Sequence, residues 1–597
     1  MRKPPFPTRG HWVSGLQPIR STLGRVEVKR VCWIAATAIA LALPVAATAQ
    51  QAQFDEAKLR EHIRILSDDS FEGRGPSTAG ETKTVQYLTH QFQAAGLQPG
   101  GEVVNGQRQW TQRVPLLKSD HVSTPTVSIQ TAAGPMQLAQ GEQIAVRSPT
   151  NGQQQVALNN VPILFAGYGV TAPERQWDDF KDVDVRGKLI VVLVNDPDFE
   201  GGEGNFGGKA MTYYGRWTYK YEEAARRGAA GVLIVHESEP ASYGWATVKN
   251  SNTITMFDIV RQNPASEHTG FESWIQRDTA VQLFKAAGLD FNQAKQAAKR
   301  RDFRPMDLKA TMSANVNAKT EVITSYNLVG MLPGKTRPDE TVIYTAHHDH
   351  LGIGLPDANG DRIYNGALDN STGTAHLIEQ GRAFAKKPRT DRSIVFLAVA
   401  AEEKGLLGSE YYASNPLYPL SKTVGILNTD GGAIYGPARD FSIAGTAKLD
   451  LLDMLVAEGK RQGRRFTPDP RVEAGSFYRS DHFPFAKVGV PAISWRPGTD
   501  LVQGGTARGK ALQDEYTAKR YHQPADEYDP NWNLTGMVRD WQLLHNVGQQ
   551  LANSGDWPNW SSESEFRATR DQSAGERGGS APAAPTDQPP ASDGERG

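Results

Sequence analysis

Thr341-Val-Ile-Tyr-Thr-Ala-His347-His348-Asp349-His350-Leu351 is the stretch on which the reading of the chain turns. Its first six residues are β-branched or apolar enough to form a buried strand. Its end delivers three histidines and an aspartate where that strand should stop. In open α/β sheets, ligands collect beyond the carboxyl ends of the strands. In extended backbone, His347 and Asp349 point one way and His348 and His350 the other, so the latter two are not expected to be ligands. A His-x-Asp pair on one face suits a metal ligand with a neighbouring carboxylate, and it suits a surface polar cluster equally well. The flanking sequence decides between the two.

Working outward, the pattern from Tyr326 alternates strand and helix: strands over 326–331, 341–346, 393–400 and 424–428, and helices over 373–385 and 408–413. Further helices are expected over 449–461 and 537–552, with a strand over 492–494. That alternation predicts an α/β fold with a largely buried sheet. Upstream, residues 54–97 have helical spacing in two pieces, and 114–145 alternate as strands.

Four polar clusters fall at strand ends or in loops of this region. Asp369-Asn370 precedes a helix, where a cap is the ordinary reading. Glu402-Glu403 follows an apolar strand, and two carboxylates there are costly unless a positive charge lies between them. Asp430 follows another apolar strand, and His522 lies in a late loop. Taken together, His347, Asp369, Glu403, Asp430 and His522 form a mixed nitrogen and oxygen set that suits zinc, with manganese or cobalt as alternatives, and Glu402 is left as a spare base. Five ligands exceed one tetrahedral site and fit two metals sharing a carboxylate.

The segments Ala346–His350, Gly366–Gly373, Ala401–Ser409, Asn428–Asp430 and Tyr521–Pro524 resemble the co-catalytic zinc aminopeptidases. That metallopeptidase family also contains glutamate carboxypeptidase, the transferrin receptor and glutaminyl cyclase. The likeness extends to Leu66–Asp69 and Glu72–Arg74 near the start. It implies a mixed, mostly parallel sheet flanked by helices and two zinc ions per chain. Asp369, joined to Asn370 by a cis peptide, would bridge the metals. His347 and Asp430 would complete one site, Glu403 and His522 the other. Asp349 would hold the imidazole of His347, and Glu402 would be the general base. Tyr478, Asp481 and His482 match a family segment near the substrate pocket, with Tyr478 a candidate donor to the substrate carbonyl. A Ser480-Asp481-His482 triad is excluded because contiguous residues cannot form that geometry.

The expected activity is an exported aminopeptidase acting on peptides or proteins. A carboxypeptidase or dipeptidase on the same site is the nearest alternative. It needs a basic pocket, for which Arg479 and Arg496 are candidates. A glutaminyl cyclase and a receptor-like relative without metals are weaker ones.

The chain of 597 residues exceeds one ordinary core. Arg25, Lys29 and Arg30 precede an apolar run over 31–47 and then Ala47-Thr48-Ala49, the layout of a secretory signal over residues 1–49. The run is short for a membrane span, so no anchor is expected after cleavage and the protein should reach the periplasm or the exterior. Removing that segment takes away seven Lys/Arg and one Glu, moving the formal charge from −1 to −7. No basic stripe remains to suggest nucleic acid. The only cysteine, Cys32, lies in the signal, so disulfides are not expected.

The expected division is residues 50–118 as the first part of a peptidase domain, 119–320 as an insert, 321–557 as its main part and 558–597 as a disordered tail. Within the insert, Lys220, Ala224, Gly228 and Ala229 resemble the protease-associated domain, a β-rich module without catalytic groups. Gly201–Gly208 lacks the spacing of a phosphate-binding loop. Residues 357–368 lack the closing Glu of a calcium loop. The oligomeric state is not readable.

Overall fold

The computed structural model describes residues 54–577. The signal expected over 1–49 lies outside them. Among the described residues, no helix is long and apolar enough to cross a membrane.

The main sheet is mixed, with a parallel centre. Strand Arg337–His347 pairs in parallel with Arg392–Val399 on one side and with Thr423–Thr429 on the other. Ala492–Pro497 extends the parallel set beyond Thr423–Thr429. Antiparallel strands Asp440–Ile443 and Met306–Leu332 flank the two sides. The parallel centre is buried on both faces, as continuous apolar runs require. Val342, Tyr344 and Ala346 pack toward the helices Ala79–Ala94, Thr372–Ala385 and Thr535–Asn553, whereas Ile343 packs on the other face with Tyr412 and Phe485. The last of these helices lies close against the sheet. Tyr344 Oη donates to Leu544 O at 2.8 Å, and a Cβ at Gly548 would stand 1.9 Å from that hydroxyl, so only glycine permits the approach.

A second sheet holds its own core. Its parallel strands Gln155–Phe165, Leu189–Leu193, Gly231–His236 and Phe271–Gln276 are backed by the helix Trp217–Arg226. The two sheets share one strand. Met306–Leu332 runs 27 residues. Its first part pairs with the second sheet through Thr126–Thr131 and Gln155–Phe165, and its second part pairs with Thr111–His121 and the main sheet. The expected boundary near residue 320 therefore falls inside a continuous strand.

The tail expectation is corrected in part. Residues 558–577 are folded: Trp560 and Phe566 are buried in the main core, and Trp560 Nε1 donates to Gly489 O at 2.9 Å. Arg570, in the helix Arg567–Gln572, donates to Thr423 O at 3.0 Å. Two aromatic anchors and one buried guanidinium outweigh the polar composition between them.

Candidate metal centre

The parallel strands end together, and the polar clusters stand just beyond their carboxyl ends. His347 closes its strand, Glu402 and Glu403 follow Val399, and Asp430 follows Thr429. Asp369 lies ahead of the helix Thr372–Ala385, and its peptide bond to Asn370 is cis. His522 reaches in from the turn after the helix Gly505–Lys519.

These groups converge on Asp369. One carboxylate oxygen, Oδ1, is 3.3 Å from His347 Nε2, and the other, Oδ2, is 3.3 Å from His522 Nε2. His347 Nε2 is also 3.3 Å from Asp430 Oδ1, and His522 Nε2 is 3.1 Å from Glu403 Oε2. Donor atoms of His347, Glu402 and Asp430 lie within 4.8 Å of one another, as do those of His350, Asp369 and Glu403.

His350 is thus brought to the centre, against the expectation from strand alternation. Its Nδ1 is 2.7 Å from Glu403 Oε1, and its ring is edge-on to His522 with centroids 5.7 Å apart. The strand ends at His347, so the alternation that would turn His350 away does not continue. His348 does point away, with Nε2 2.8 Å from Tyr326 O.

Hydrogen bonds hold the loops in register. Asp349 Oδ1 and Oδ2 accept the backbone N–H groups of Glu402 at 3.0 Å and Glu403 at 3.3 Å. Its carboxylate is 3.7 Å from His347 Nδ1, which instead donates to the Asp349 carbonyl at 3.2 Å. Asp349 therefore sets the turn that carries the paired glutamates as well as facing the imidazole. Asn370 Oδ1 accepts from Gly373 N at 2.9 Å and Gly431 N at 3.0 Å, tying the Asp369 and Asp430 loops together. Asp526 accepts from the backbone of Leu368 and Asp369 at 3.2 and 3.1 Å, tying the His522 loop to both.

One contributor had no signal as a site residue. Arg74 is fully buried and donates to four backbone carbonyls: Leu66, His348, Asn365 and Gly366, at 2.7, 3.0, 2.5 and 3.0 Å. Two of the loops it clamps carry His347–Asp349 and Asp369. Burial draws its pKa down to about 10 against the pull of Asp349 and Asp369.

The electrostatics are those of crowded acids. Burial, despite the pull of His347, holds Glu402 well above the usual carboxylate range, with Glu403 and Asp430 adding to the push. Glu403 goes the other way: burial and Asp369 oppose its charge, but His522 and His350 prevail and lower it. Burial works against a charge on His347, yet Glu402, Asp369 and Asp430 hold it well above the ordinary imidazole value. Glu403 Oε1 faces His350 Nδ1 at 2.7 Å, and His350 Nε2 is buried without a hydrogen-bond partner. Oxygen and imidazole donors gathered in this way, one of them unpaired, fit a bound cation such as zinc.

Two pocket expectations are corrected. Tyr478 is buried, its hydroxyl donates to Glu565 Oε1 at 3.2 Å, and its ring packs on Phe477 and Phe483. His482 is buried edge-on to Phe477, and burial lowers its pKa to about 3. Their short helical turns aim both side chains into the core. Asp481 stays beneath the centre: it accepts from Ser409 Oγ at 2.7 Å, and burial raises it to about 7. The accessible phenol is Tyr521, 46% exposed and stacked on His522 with centroids 3.9 Å apart.

Residues 327–544 match the family model described as Peptidase family M28. Over that segment the chain is similar to peptidase family M28. Among curated relatives, aminopeptidase NAALADL1 of Mus musculus is 35% identical over 168 residues, 24% of this chain and 21% of that protein. Aminopeptidase YwaD of Bacillus subtilis is 36% identical over 178 residues, 29% of this chain and 35% of that protein. The probable glutamate carboxypeptidase LAMP1 of Arabidopsis thaliana is 32% identical over 150 residues, 24% and 20% of the two chains. The M28 match covers residues 327–544, and the chain spans about a fifth to a third of the length of these relatives. A solved aminopeptidase from Aneurinibacillus sp. strain AM-1 aligns with 84% of this chain and 95% of its own, at 18% identity and a TM-score of 0.46.

Proposed function

We propose that the chain is an exported zinc-dependent aminopeptidase that removes N-terminal residues from peptides, with a protease-associated insert over the second sheet. The observation that carries this reading is the placement of Asp369, whose two oxygens face two different imidazoles beside Glu402. In this reading His347, Asp369 and Asp430 would hold one zinc, and Asp369, Glu403 and His522 would hold a second. His350, grouped with Asp369 and Glu403, would be a further donor on that side. Bound zinc supplies Lewis-acid polarisation of the scissile carbonyl and acidifies water.

The remaining work falls to the protein. Glu402 takes the proton from the attacking water and delivers it to the nitrogen of the leaving amine, which departs as the C–N bond breaks. A carboxyl held well above the usual range by burial is suited to carry that proton between the two steps. Asp349 fixes Glu402 by accepting its backbone N–H. Asp430, 25% exposed on its side chain, lines the open side and offers a negative charge to the substrate's ammonium group. The relatives named as aminopeptidases support this direction of attack.

The test is hydrolysis of peptides with free and with acetylated N-termini, by protein stripped with a chelator and then reloaded with zinc. Cleavage of the free peptides should vanish on stripping and return on reloading. Release of C-terminal residues from the acetylated peptides would overturn the assignment.

A further inference from the structure

The folded tail reaches the seam between the two sheets, and one of its carboxylates touches both sides. Glu565 Oε1 accepts from Tyr213 N at 3.3 Å and from Tyr478 Oη at 3.2 Å, and Oε2 is 4.0 Å from Arg175 Nη2. Tyr213 and Arg175 come from the second-sheet side, Tyr478 from the main side. The next residue, Phe566, is buried and stacks on Phe477 with centroids 6.0 Å apart, and its ring lies 6.4 Å from that of Tyr213.

The tail covers a hook. Residues 199–210 include five glycines, and the chain then drives Met211 and Tyr213 across the seam. Met211 is buried in the main core, and Tyr213 packs against both cores. Met211 N donates to Val472 O at 3.2 Å, and a Cβ at Gly475 would stand 2.4 Å from Met211 Sδ, so the thioether fills a notch that glycine leaves. The Tyr213 ring is 5.4 Å from Phe483, and its hydroxyl donates to Glu222.

The gripped segment, residues 472–478, leads directly to the floor of the metal centre. Ser480 Oγ accepts from Asn428 Nδ2 at 2.7 Å, two residues before Asp430. Asp481 accepts from Ser409 Oγ at 2.7 Å, in the helix Leu407–Ser414 that follows the turn of Glu402 and Glu403. Unbroken contacts thus join tail and hook to the two strand ends that carry Asp430 and Glu402. The two donors to Glu565 Oε1 stand on opposite sides of the seam. A shift of either side leaves a mostly buried carboxylate half-paired, which favours an all-or-none arrangement. The approach to it is lightly held: Ser562 and Glu563 are exposed, and Glu563 pairs at the surface with Lys448 at 3.0 Å, a weak contact.

We propose that the tail turn ending in Glu565 and Phe566 is a releasable latch. Seated, it locks the hook of the second sheet onto residues 472–478 and fixes the floor under the metal centre; released, it frees hook and floor together. Glu565 and Tyr478 are positioning residues in this device, acting through Ser480 and Asp481.

The test is amide hydrogen exchange of the zinc-loaded full chain, read on residues 211–216, 476–483 and 407–414, with the central strand 341–347 as reference. Glu565→Ala and Tyr478→Phe should each speed exchange in all three segments about tenfold, as loss of one charge-assisted bond gives, and leave the strand unchanged. Tyr478→Phe keeps the ring packing, and Glu565→Gln keeps the accepting oxygen and should exchange like wild type. The Glu565→Ala, Tyr478→Phe double variant should exceed neither single variant, the mark of one shared contact. With zinc content unchanged, kcat on Leu-Ala-Ala should fall about tenfold in both single variants and stay near wild type in Glu565→Gln. Faster exchange confined to residues 560–577, or faster exchange in the hook that stops short of 407–414, overturns the latch. So does a Glu565→Gln chain as loose as Glu565→Ala. The kinetic arm rests on the aminopeptidase reading, whereas exchange needs no substrate and decides the latch even if the wild-type protein cleaves no peptide, the result that would sink that reading.

Discussion

Two buried charged clusters in this chain are built in opposite ways. In the second sheet, Lys220 Nζ donates to three backbone carbonyls, Tyr168, Asn195 and Tyr214, at 2.6, 2.9 and 2.6 Å. Nearby, Asp179 accepts from Val170 N at 3.0 Å and Trp177 Nε1 at 2.8 Å, and Asp196 accepts from Thr212 Oγ1 at 2.8 Å. Donors and acceptors match, and the cluster closes on itself. At the parallel strand ends, carboxylates outnumber their partners, and Asp481 Oδ2 and His350 Nε2 go unpaired. A satisfied buried network fixes a fold; a surplus of one chemical type is a place for something else to bind.

The sharpest break in that comparison is Glu402→Gln. It keeps the shape of the side chain but removes the base, so kcat should fall by about 10²–10⁴-fold. Zinc content by elemental analysis should stay at the wild-type value. Activity within tenfold of wild type would remove Glu402 from its role.

Lys220→Met breaks the closed cluster instead. Three carbonyls lose their donor, and unfolding free energy measured in denaturant should drop by about 3–5 kcal/mol. Turnover per folded molecule should be unchanged. Loss of turnover without loss of stability would mean that the two clusters are not separable.

The smallest effect tests charge at the seam. His268 Nε2 is 2.8 Å from Asp258 Oδ2, and its Nδ1 is 2.9 Å from Glu272 Oε1. Burial would lower its pKa, but Glu272 and Asp258 raise it to about 10. A folded-state value above the unfolded one near 6.5 means a contribution complete below about pH 6.5. That contribution is lost as pH climbs through about 10. His268→Gln should therefore cost about 1–3 kcal/mol at pH 6, and its deficit against wild type should shrink by pH 10. A pH-independent deficit would assign the effect to packing.

That His347, Asp369, Glu403, Asp430 and His522 come together was readable because each falls in a short polar motif closing an apolar strand or opening a helix, where local pattern and tertiary position coincide. His350 was not. Its orientation depends on where the strand stops, and a one-residue change in that point reverses the face. Arg74 was unreadable as a clamp because its partners at His348, Asn365 and Gly366 are about 270 to 290 positions away in sequence. Tyr478 and His482 carried chemistry-bearing side chains in a segment whose apolar residues, Phe477 and Phe483, bury it. The folded tail was concealed by its composition: only Trp560 and Phe566 mark it as core. In the fold, the α/β alternation from Tyr326 onward was legible, but the strand common to both sheets was not, because periodicity shows that a strand exists and not how many partners it has.

That common strand imposes an order on folding. Thr111–His121 pairs with residues 318–328 of Met306–Leu332, so this edge of the main sheet closes across about 200 intervening residues. A chain loop of that size makes the pairing entropically slow unless the intervening segment compacts first. The second sheet holds its own core within that intervening segment, so compaction there shortens the loop that the pairing must close.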